Sequence, residues 1–182
     1  MKVLITGVCG YVGSRIAARL AQSSPGLRVF GVDNLSRRGS EGNLPFLERH
    51  GARFFHGDVR LREDLEALPQ ADWVIDCAAN PSVMAGSGNG TATAAQLTSI
   101  NLGGTLNLLE YCRQRSCGLV LLSTSRVYSG KVLNAIPFKK TATRLVPAGK
   151  KFPEGFSERG VAETFSTAAP LSLYGATKLA SE

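Results

Sequence analysis

A tyrosine and a lysine, Tyr174 and Lys178, lie four positions apart near the end of the sequence. On a helix this spacing brings both side chains to one face. A tyrosine phenol has a pKa of about 10 and is a poor base near neutrality, but a neighbouring ammonium group favours the phenolate and lowers that pKa. The pair could therefore remove a proton from a hydroxyl group during hydride transfer. A surface tyrosine and lysine on an ordinary helix would show the same spacing, so the spacing alone does not identify a catalytic pair.

Three glycines near the N-terminus form a second motif. Gly7, Gly10 and Gly13 lie where a short apolar segment, KVLIT, gives way to a segment with helical spacing. Such glycines permit a tight turn, let the backbone approach a pyrophosphate and let the helix pack close to the strand. The first N–H groups of the helix would then face the phosphates. The motif predicts dinucleotide binding, which we favour over a tight turn without a ligand.

A carboxylate at the end of the second predicted strand bears on which dinucleotide binds. Asp33 lies about 20 residues beyond the glycine loop, where sites of this type have an acidic residue for the ribose hydroxyls. The carboxylate would hydrogen-bond the free 2′-hydroxyl of NAD and repel the additional phosphate of NADP. Arg37 and Arg38 lie close by and could accept that phosphate. Asp33 nevertheless favours NAD as the cofactor.

Hydroxyl side chains follow the fifth predicted strand in the segment STSRVY, at a strand end where ligands bind in doubly wound sheets. With this segment, the sequence resembles the extended short-chain dehydrogenase/reductase family of nucleotide-sugar epimerases and dehydratases. The resemblance covers nearly the whole chain, through the glycine loop and the segments DNLSRRGSEGNL, HGDV, CAANPS, NLGGTLNLLEYCR and SLYGATKLASE. STSRVY and NLSRRGSEGNL are most similar to members of the CDP-paratose 2-epimerase (CDP-tyvelose) type.

The resemblance implies a role for residues of each motif. Thr124 would be the catalytic hydroxyl, Tyr174 the base, and Lys178 its partner and a ligand of the nicotinamide ribose. Asp58 and Val59 would flank the adenine. The predicted cofactor-binding residues are Gly7, Gly10, Tyr11, Val12, Gly13, Asp33, Asn34, Ser36, Arg37, Asp58, Val59, Ala78, Ala79, Asn80, Asn101, Ser123, Tyr174 and Lys178.

Two positions after Thr124 bear on the type of reaction. Family members that eliminate water carry an Asp-Glu pair where this chain has Ser125 and Arg126, and members that decarboxylate sugar acids carry a Glu at the position of Arg126. The resemblance therefore implies epimerisation of a nucleotide-diphosphate sugar, of the CDP-sugar 2-epimerase type, by transient oxidation and re-reduction of a sugar carbon. Two alternatives stay open: another nucleotide-sugar 4-epimerase or reductase, and an NAD-binding protein without catalysis.

The elements that must position these residues alternate along the chain. Strand-like and helix-like segments predict an α/β fold with a doubly wound parallel sheet, the Rossmann fold. Residues 129–170 lack sustained apolar periodicity and are predicted to be an irregular insertion, and a helical pattern returns at Leu171. The predicted strands cover residues 2–6, 27–32, 52–55, 73–77 and 118–122, and the predicted helices cover residues 11–22, 44–50, 63–68 and 94–114.

Composition and charge limit the classes of function. The chain has 182 residues, of which 43% are hydrophobic, and this suits one domain with a buried core. The formal charge is +7, but the basic residues are mostly scattered, so we favour a solvated loop over a nucleic-acid site. A diphosphate-bearing substrate would also suit a basic rim. The densest basic group is Lys139, Lys140, Arg144, Lys150 and Lys151.

The cysteines and the apolar runs point to a cytoplasmic protein. Cys9, Cys77, Cys112 and Cys117 form no CxxC pair and have no histidine cluster near them, which predicts buried free thiols and neither a metal site nor a disulfide framework. No apolar run reaches membrane-spanning length. The N-terminal apolar run stops at glycines, which does not suit an export signal.

The resemblance also implies protein beyond this domain. Residues 1–182 would be an NAD-binding Rossmann domain that is C-terminally truncated, because family members continue with the last strands of the sheet and a substrate domain. We therefore expect the chain alone to bind NAD weakly and to turn over sugars poorly. The helix at residues 94–114 and the helix that begins at Leu171 resemble the pair that forms the family's dimer interface, which predicts a homodimer.

Overall fold

The computed structural model describes residues 1–86, 92–149 and 151–182, and its centre is a sheet of five parallel strands. The strands are β1 (Lys2–Thr6), β2 (Arg28–Asp33), β3 (Arg53–His56), β4 (Trp73–Asp76) and β5 (Gly118–Leu121). Their order is β3-β2-β1-β4-β5, so the chain winds outward from β1 to β3 and then crosses back to β4. This confirms the predicted doubly wound parallel sheet. In such sheets ligands bind at the carboxyl ends of the strands where the winding reverses, here between β1 and β4.

Helices cover both faces of this sheet. They are α1 (Tyr11–Ser23), α2 (Leu44–Arg49), α3 (Arg62–Glu66), α4 (Ala94–Thr98), α5 (Gly104–Arg115), α6 (Gly130–Asn134) and α7 (Leu173–Ser181). The helix predicted at residues 94–114 is one helical run, but a π-helical turn, Ser99–Gly103, separates α4 from α5. Such turns are rare and frequently occur at functional sites. The apolar spacing of the sequence does not reveal this turn.

The core lies on both sides of β1. Val3 and Ile5 point to one face, where Ala17 of α1 packs against the sheet. Leu4 points to the other face and belongs to the cluster that contains Leu108 of α5. Alternate residues of a strand point to opposite faces, so a strand that is apolar throughout must be covered on both sides. This explains why KVLIT is a central strand.

Residues 129–170 contain more regular structure than the sequence predicts. Besides α6, the segment holds two small antiparallel hairpins, formed by β6 (Phe138–Lys140) with β7 (Leu145–Pro147) and by β8 (Phe156–Ser157) with β9 (Gly160–Val161). The prediction of an irregular insertion is therefore wrong for these short elements. They are stabilised by contacts between aromatic rings that are distant in sequence, which a local pattern cannot show.

An aromatic cluster attaches this segment to the chain that follows β5. The ring of Phe165 is buried and lies edge-on to Tyr128, with 5.7 Å between the ring centroids. Phe156 contacts Phe165 at 6.3 Å, and Phe138 contacts Phe156 at 6.3 Å. Of the basic group noted in the sequence, Lys150 lies outside the described residues. The side chains of Lys139, Lys140, Arg144 and Lys151 are exposed.

The cysteines are free thiols, as predicted, but only two are fully buried. Cys9 and Cys112 are buried, whereas Cys77 and Cys117 are half-buried. Burial raises the pKa of the Cys9, Cys77 and Cys112 thiols to about 12, which keeps them protonated. Among the described residues, no helix combines the length and the apolar character needed to cross a bilayer.

Candidate active site

The turn between β1 and α1 brings the glycine loop against the end of β4. Gly7 has a φ of +60°, and a Cβ atom there would lie 2.9 Å from the backbone of Ala78 and from the carbonyl oxygen of Cys77. A Cβ atom on Gly13 would lie 2.3 Å from the carbonyl oxygen of Gly7. Neither position has space for a side chain. The glycines therefore let the loop pass between the ends of two neighbouring strands.

The same turn presents the start of α1 at the carboxyl edge of the sheet. The backbone N–H of Gly10 donates to the carbonyl of Gly7 at 2.9 Å, and α1 begins at the next residue. Tyr11 and Val12 in the first turn of α1 are 77% and 48% exposed. The first N–H groups of a helix have no partner within the helix and attract phosphates. A cradle without side chains beside a helix N-terminus fits the pyrophosphate of a dinucleotide.

Asp33 is held beside this loop by two backbone donors. Its Oδ2 accepts the N–H of Cys9 at 3.0 Å, and its Oδ1 accepts the N–H of Leu35 at 2.9 Å. Each carboxylate oxygen keeps a lone pair for a further donor. The carboxylate can therefore still accept hydrogen bonds from further donors, such as the hydroxyls of a ribose. Ser36 and Arg37 follow on the exposed turn, and Arg37 forms no ion pair within the part of the chain that the structure describes.

Asp58, which follows β3, forms an ion pair with Arg60. Arg60 donates to both carboxylate oxygens of Asp58, from Nε at 2.9 Å and from Nη2 at 2.6 Å, and Asn34 donates to Oδ2 at 2.8 Å. The hydrogen bonds from Arg60 are the main reason that the pKa of Asp58 falls to about 2. The next residue, Val59, is buried, and Asn107 of α5 donates to its carbonyl at 3.0 Å. Hydrogen bonds thus hold the turn after β3 on both sides: Arg60 and Asn34 bind Asp58, and Asn107 binds the carbonyl of Val59.

The segment after β4 forms a wall that α4 and α5 support. The backbone N–H of Asn80 donates to Oδ1 of Asn101 at 2.8 Å, and Nδ2 of Asn101 donates back to the Asn80 carbonyl at 3.1 Å. The same Nδ2 lies 3.4 Å from Oγ1 of Thr177 on α7. Ala78 and Ala79 precede Asn80 on the wall. The buried Asn101, which the family resemblance assigns to this wall, therefore joins it to the helix that carries Tyr174 and Lys178.

Helix α7 places the tyrosine and lysine pair beside the turn that follows β5. Ser172 caps the helix by accepting the N–H of Gly175 at 3.0 Å. Tyr174 is half-buried beside Leu97 of α4, whereas Lys178 is only 2% exposed. A Cβ atom on Gly175 would lie 2.2 Å from the carbonyl oxygen of Arg126. The glycine therefore allows α7 to approach the chain around Thr124.

Thr124 lies on this turn, where its hydroxyl oxygen acts as a hydrogen-bond acceptor. Its Oγ1 accepts the N–H of Arg126 at 3.2 Å and caps the short 3-10 turn Ser125–Val127. Within the described residues the Thr124 hydroxyl donates no hydrogen bond, so it can donate to a reacting oxygen. The neighbouring Ser123 has its hydroxyl against the carboxylate of Glu182. The structure thus brings Thr124, Tyr174 and Lys178 to the same edge of the sheet as the glycine loop.

The arrangement is that of one known family. Residues 3–182 match the family described as NAD dependent epimerase/dehydratase. The chain belongs to this family. The match includes the glycine loop at one end and Tyr174 and Lys178 at the other.

The chain is similar to two named relatives over part of their length. The chain is 35% identical over 161 residues to the CDP-paratose 2-epimerase of Salmonella typhi, which covers 87% of this chain and 46% of that protein. It is 32% identical over 133 residues to the short-chain dehydrogenase/reductase family 42E member 1 of Mus musculus, which covers 72% of this chain and 32% of that protein. The chain therefore spans less than half the length of these two relatives.

Solved structures of epimerases share the fold. The UDP-Glc/GlcNAc 4-epimerase from Campylobacter jejuni superposes with a TM-score of 0.72 at 23% identity, over 99% of this chain and 46% of that chain. The UDP-glucose-4-epimerase from Stenotrophomonas maltophila, solved with bound NAD and formylated UDP-arabinopyranose, superposes with a TM-score of 0.69 at 27% identity, over the same shares of the two chains.

The site also contains a buried carboxylate that the sequence analysis missed. Asp76 ends β4 and is only 2% exposed. Its Oδ1 accepts the hydroxyl of Thr6 at 2.5 Å and the N–H of Ala78 at 3.2 Å. Burial lowers the pKa of Lys178, and the negative charge of Asp76 opposes that effect. A charged residue that ends an otherwise apolar strand, WVID, is the signal that could have identified Asp76.

Proposed function

We propose that this chain is the NAD-binding part of a nucleotide-sugar epimerase of the CDP-sugar 2-epimerase type. The observation that carries the proposal is the junction at α7. Asn101 ties this helix to the wall after β4, and Gly175 brings it against the turn that begins at Thr124. Tyr174 and Lys178 are thereby held at the edge where the glycine loop and Asp33 fit a dinucleotide.

The residues present suit oxidation and re-reduction of one sugar carbon. NAD, when bound, would supply the chemistry of a reversible hydride acceptor. Tyr174, as the phenolate, takes the proton of the sugar hydroxyl as the carbon is oxidised, and returns it when the opposite face is reduced. The ammonium of Lys178 favours the phenolate, and the Thr124 hydroxyl donates to the reacting oxygen. The proton and the hydride are both restored at the end, so the net change is inversion of one carbon.

The residues after Thr124 support epimerisation rather than elimination. Loss of water from a sugar requires an acid and a base in addition to the tyrosine, and carboxylates usually fill these roles. Here the two positions carry Ser125 and Arg126, and both are exposed on the 3-10 turn. The similarity to CDP-paratose 2-epimerase favours a CDP-sugar and the C2 position. A 4-epimerase is the second candidate, favoured by the fold shared with the Stenotrophomonas maltophila enzyme.

A homodimer is part of this proposal. Leu106 and Leu109 of α5 are 58% and 46% exposed and lie three residues apart, on one face of the helix. Exposed leucines at this spacing suit a helix that packs against a second copy. Light scattering of the protein, with Leu106→Glu as the disrupting variant, tests this part independently of the chemistry.

The test of the chemistry separates cofactor binding from hydride transfer. Tyr174→Phe removes the base and keeps the ring, and Tyr128→Phe is a matched control because it makes the same change outside the proposed machinery. We expect all three proteins to bind NAD with equal affinity by calorimetry. With saturating NAD and CDP-, UDP-, GDP- or dTDP-sugars, wild type and Tyr128→Phe should form a small, transient amount of reduced cofactor, because the chain alone turns over sugars poorly and the hydride is returned. Tyr174→Phe should form none. Equal formation of reduced cofactor in the Tyr174→Phe protein would contradict the mechanism.

A further inference from the structure

Two opposite charges are buried at the cofactor edge without touching each other. Asp76 and Lys178 are each 2% exposed. Each lies within electrostatic range of the other. Among the described residues, however, no ion pair shorter than 4.0 Å joins them. Buried charges are unfavourable unless they are paired or hydrogen-bonded, so a polar group that contacts both side chains would stabilise them.

Among the described residues, one oxygen of the Asp76 carboxylate accepts hydrogen bonds and the other accepts none. Oδ1 accepts from Thr6 Oγ1 and from the N–H of Ala78. Within the described residues Oδ2 accepts no hydrogen bond, and Nζ of Lys178 donates none. A carboxylate oxygen can accept and an ammonium can donate, so a single hydroxyl group has the chemistry to satisfy both.

The position of Asp76 points toward the cofactor. β4 ends at Asp76, and the wall of Ala78 and Asn80 begins two residues later. The glycine loop lies directly against this point, since Gly7 would clash with Ala78 if it had a Cβ atom. Asp76 therefore lies two residues before the backbone that contacts the glycine loop, and within electrostatic range of the lysine proposed for the distal ribose.

We propose that Asp76 is a positioning residue of the cofactor site: its free carboxylate oxygen and the Lys178 ammonium hold one hydroxyl group between them. The hydroxyl comes from the distal ribose of the dinucleotide or from a water molecule. In both cases Asp76 keeps Lys178 charged and directs it toward the cofactor. This inference rests on the proposed role of Lys178 in binding NAD.

Within the described residues, few other charges interact with this pair. Apart from Asp76, the groups within electrostatic range of Lys178 are Cys77 on β4 and Glu182 beyond α7. The elements packed against α7 are α4, the π turn and the 3-10 turn, and Arg126 is the one ionisable residue in their sequences. The Cys77 thiol has a pKa raised to about 12, mainly by burial, and so carries no charge below that pH. Within the described residues Asp76 is thus the buried carboxylate that favours the charge of Lys178, and the charge of Lys178 in turn opposes the rise that burial causes in the pKa of Asp76.

The charge of Asp76 affects the pH at which Lys178 loses its proton. Burial lowers the pKa of Lys178, and the carboxylate of Asp76 opposes the decrease. Replacement of Asp76 by asparagine removes the charge but keeps an oxygen that can accept from Thr6 and Ala78. Without the charge, Lys178 should lose its proton at a lower pH, and the affinity for a ligand bound by its ammonium should decrease at a lower pH than in wild type.

The experiment compares ligands with and without the distal ribose. ADP, ADP-ribose and NAD are titrated calorimetrically into wild type, Asp76→Asn and the control Asp72→Asn between neutral and alkaline pH. Asp72 accepts the backbone N–H of Lys2 at 2.7 Å at the opposite end of the strands. Thermal unfolding verifies that each variant folds, and Asp76→Ser replaces Asp76→Asn if the amide is not tolerated.

Each outcome either supports or overturns the proposed role of Asp76. If the ribose supplies the hydroxyl, Asp76→Asn weakens ADP-ribose and NAD on the order of tenfold and leaves ADP unchanged. If water supplies it, affinities at neutral pH are preserved, but the alkaline loss of ADP-ribose affinity moves to lower pH. An equal loss for ADP and ADP-ribose, or no difference from Asp72→Asn, overturns the inference. If wild type does not bind ADP-ribose at all, the proposed function is wrong and the inference with it.

Discussion

The contact between Gly175 and the turn after Thr124 provides a quantitative test of how the site is held together. A Cβ atom at position 175 would lie 2.2 Å from the carbonyl oxygen of Arg126, and real Cβ contacts essentially never fall below 3.0 Å. Gly175→Ala must therefore separate α7 from the turn by at least about 0.8 Å. Overpacking of this kind costs about 1–3 kcal/mol. In a chain of this size each kcal/mol lowers Tm by about 2–4 °C.

The assay is thermal unfolding combined with NAD titration. We expect Gly175→Ala to lower Tm by several degrees and to reduce hydride transfer by about 100-fold, because a misplacement of 1 Å has that effect on a reaction that depends on alignment. NAD affinity should change little, since the glycine loop is untouched. Gly130→Ala on α6 is the control, because a Cβ atom there meets nothing within 4 Å. If Gly175→Ala and Gly130→Ala have the same Tm, the close approach of α7 does not organise the site.

Two further substitutions test other parts of the edge. Arg60→Ala should shift acid unfolding to higher pH. Arg60 is the main reason that the pKa of Asp58 is lowered to about 2 in the folded protein. This lowered pKa contributes stability at pH values above the usual pKa near 4, and the contribution is lost as the pH falls toward 2. Circular dichroism from pH 6 to 2 measures this, and Arg62→Ala, which breaks an exposed pair with Glu66, should leave the acid transition in place. Gly13→Ala should abolish NAD binding and lower Tm, because its Cβ atom would lie 2.3 Å from the Gly7 carbonyl oxygen. Calorimetry and thermal unfolding check this, and unaltered NAD affinity would show that the loop does not hold the cofactor.

Local sequence patterns predict the sheet well because its strands are short and separated by clear breaks. The apolar run KVLIT, bounded by Gly7, coincides with β1, and the remaining strands lie within one residue of their predicted limits. The glycine loop and Asp33 were predictable for the same reason, since both lie at strand ends. In a doubly wound sheet these ends converge at one edge. The order of elements therefore already implies which motifs meet.

The features that escaped prediction depend on contacts between distant parts of the chain. Asp76 is bound by Thr6, which lies 70 residues earlier. Asn101 contacts Thr177, 76 residues later, from a π turn that apolar spacing does not mark. The hairpins within residues 129–170 depend on ring contacts such as that of Phe138 with Phe156. Periodicity reports which side of an element is apolar, and it does not report which polar side chain completes a neighbouring loop.

The central claim is that this chain builds an NAD site from the glycine loop to Lys178. Its most direct test is parallel calorimetric titration of the 182-residue chain with NAD and with NADP. We expect NAD to bind and NADP to bind more weakly, because the additional phosphate would face the Asp33 carboxylate. Absence of NAD binding, or tighter binding of NADP than of NAD, would contradict it.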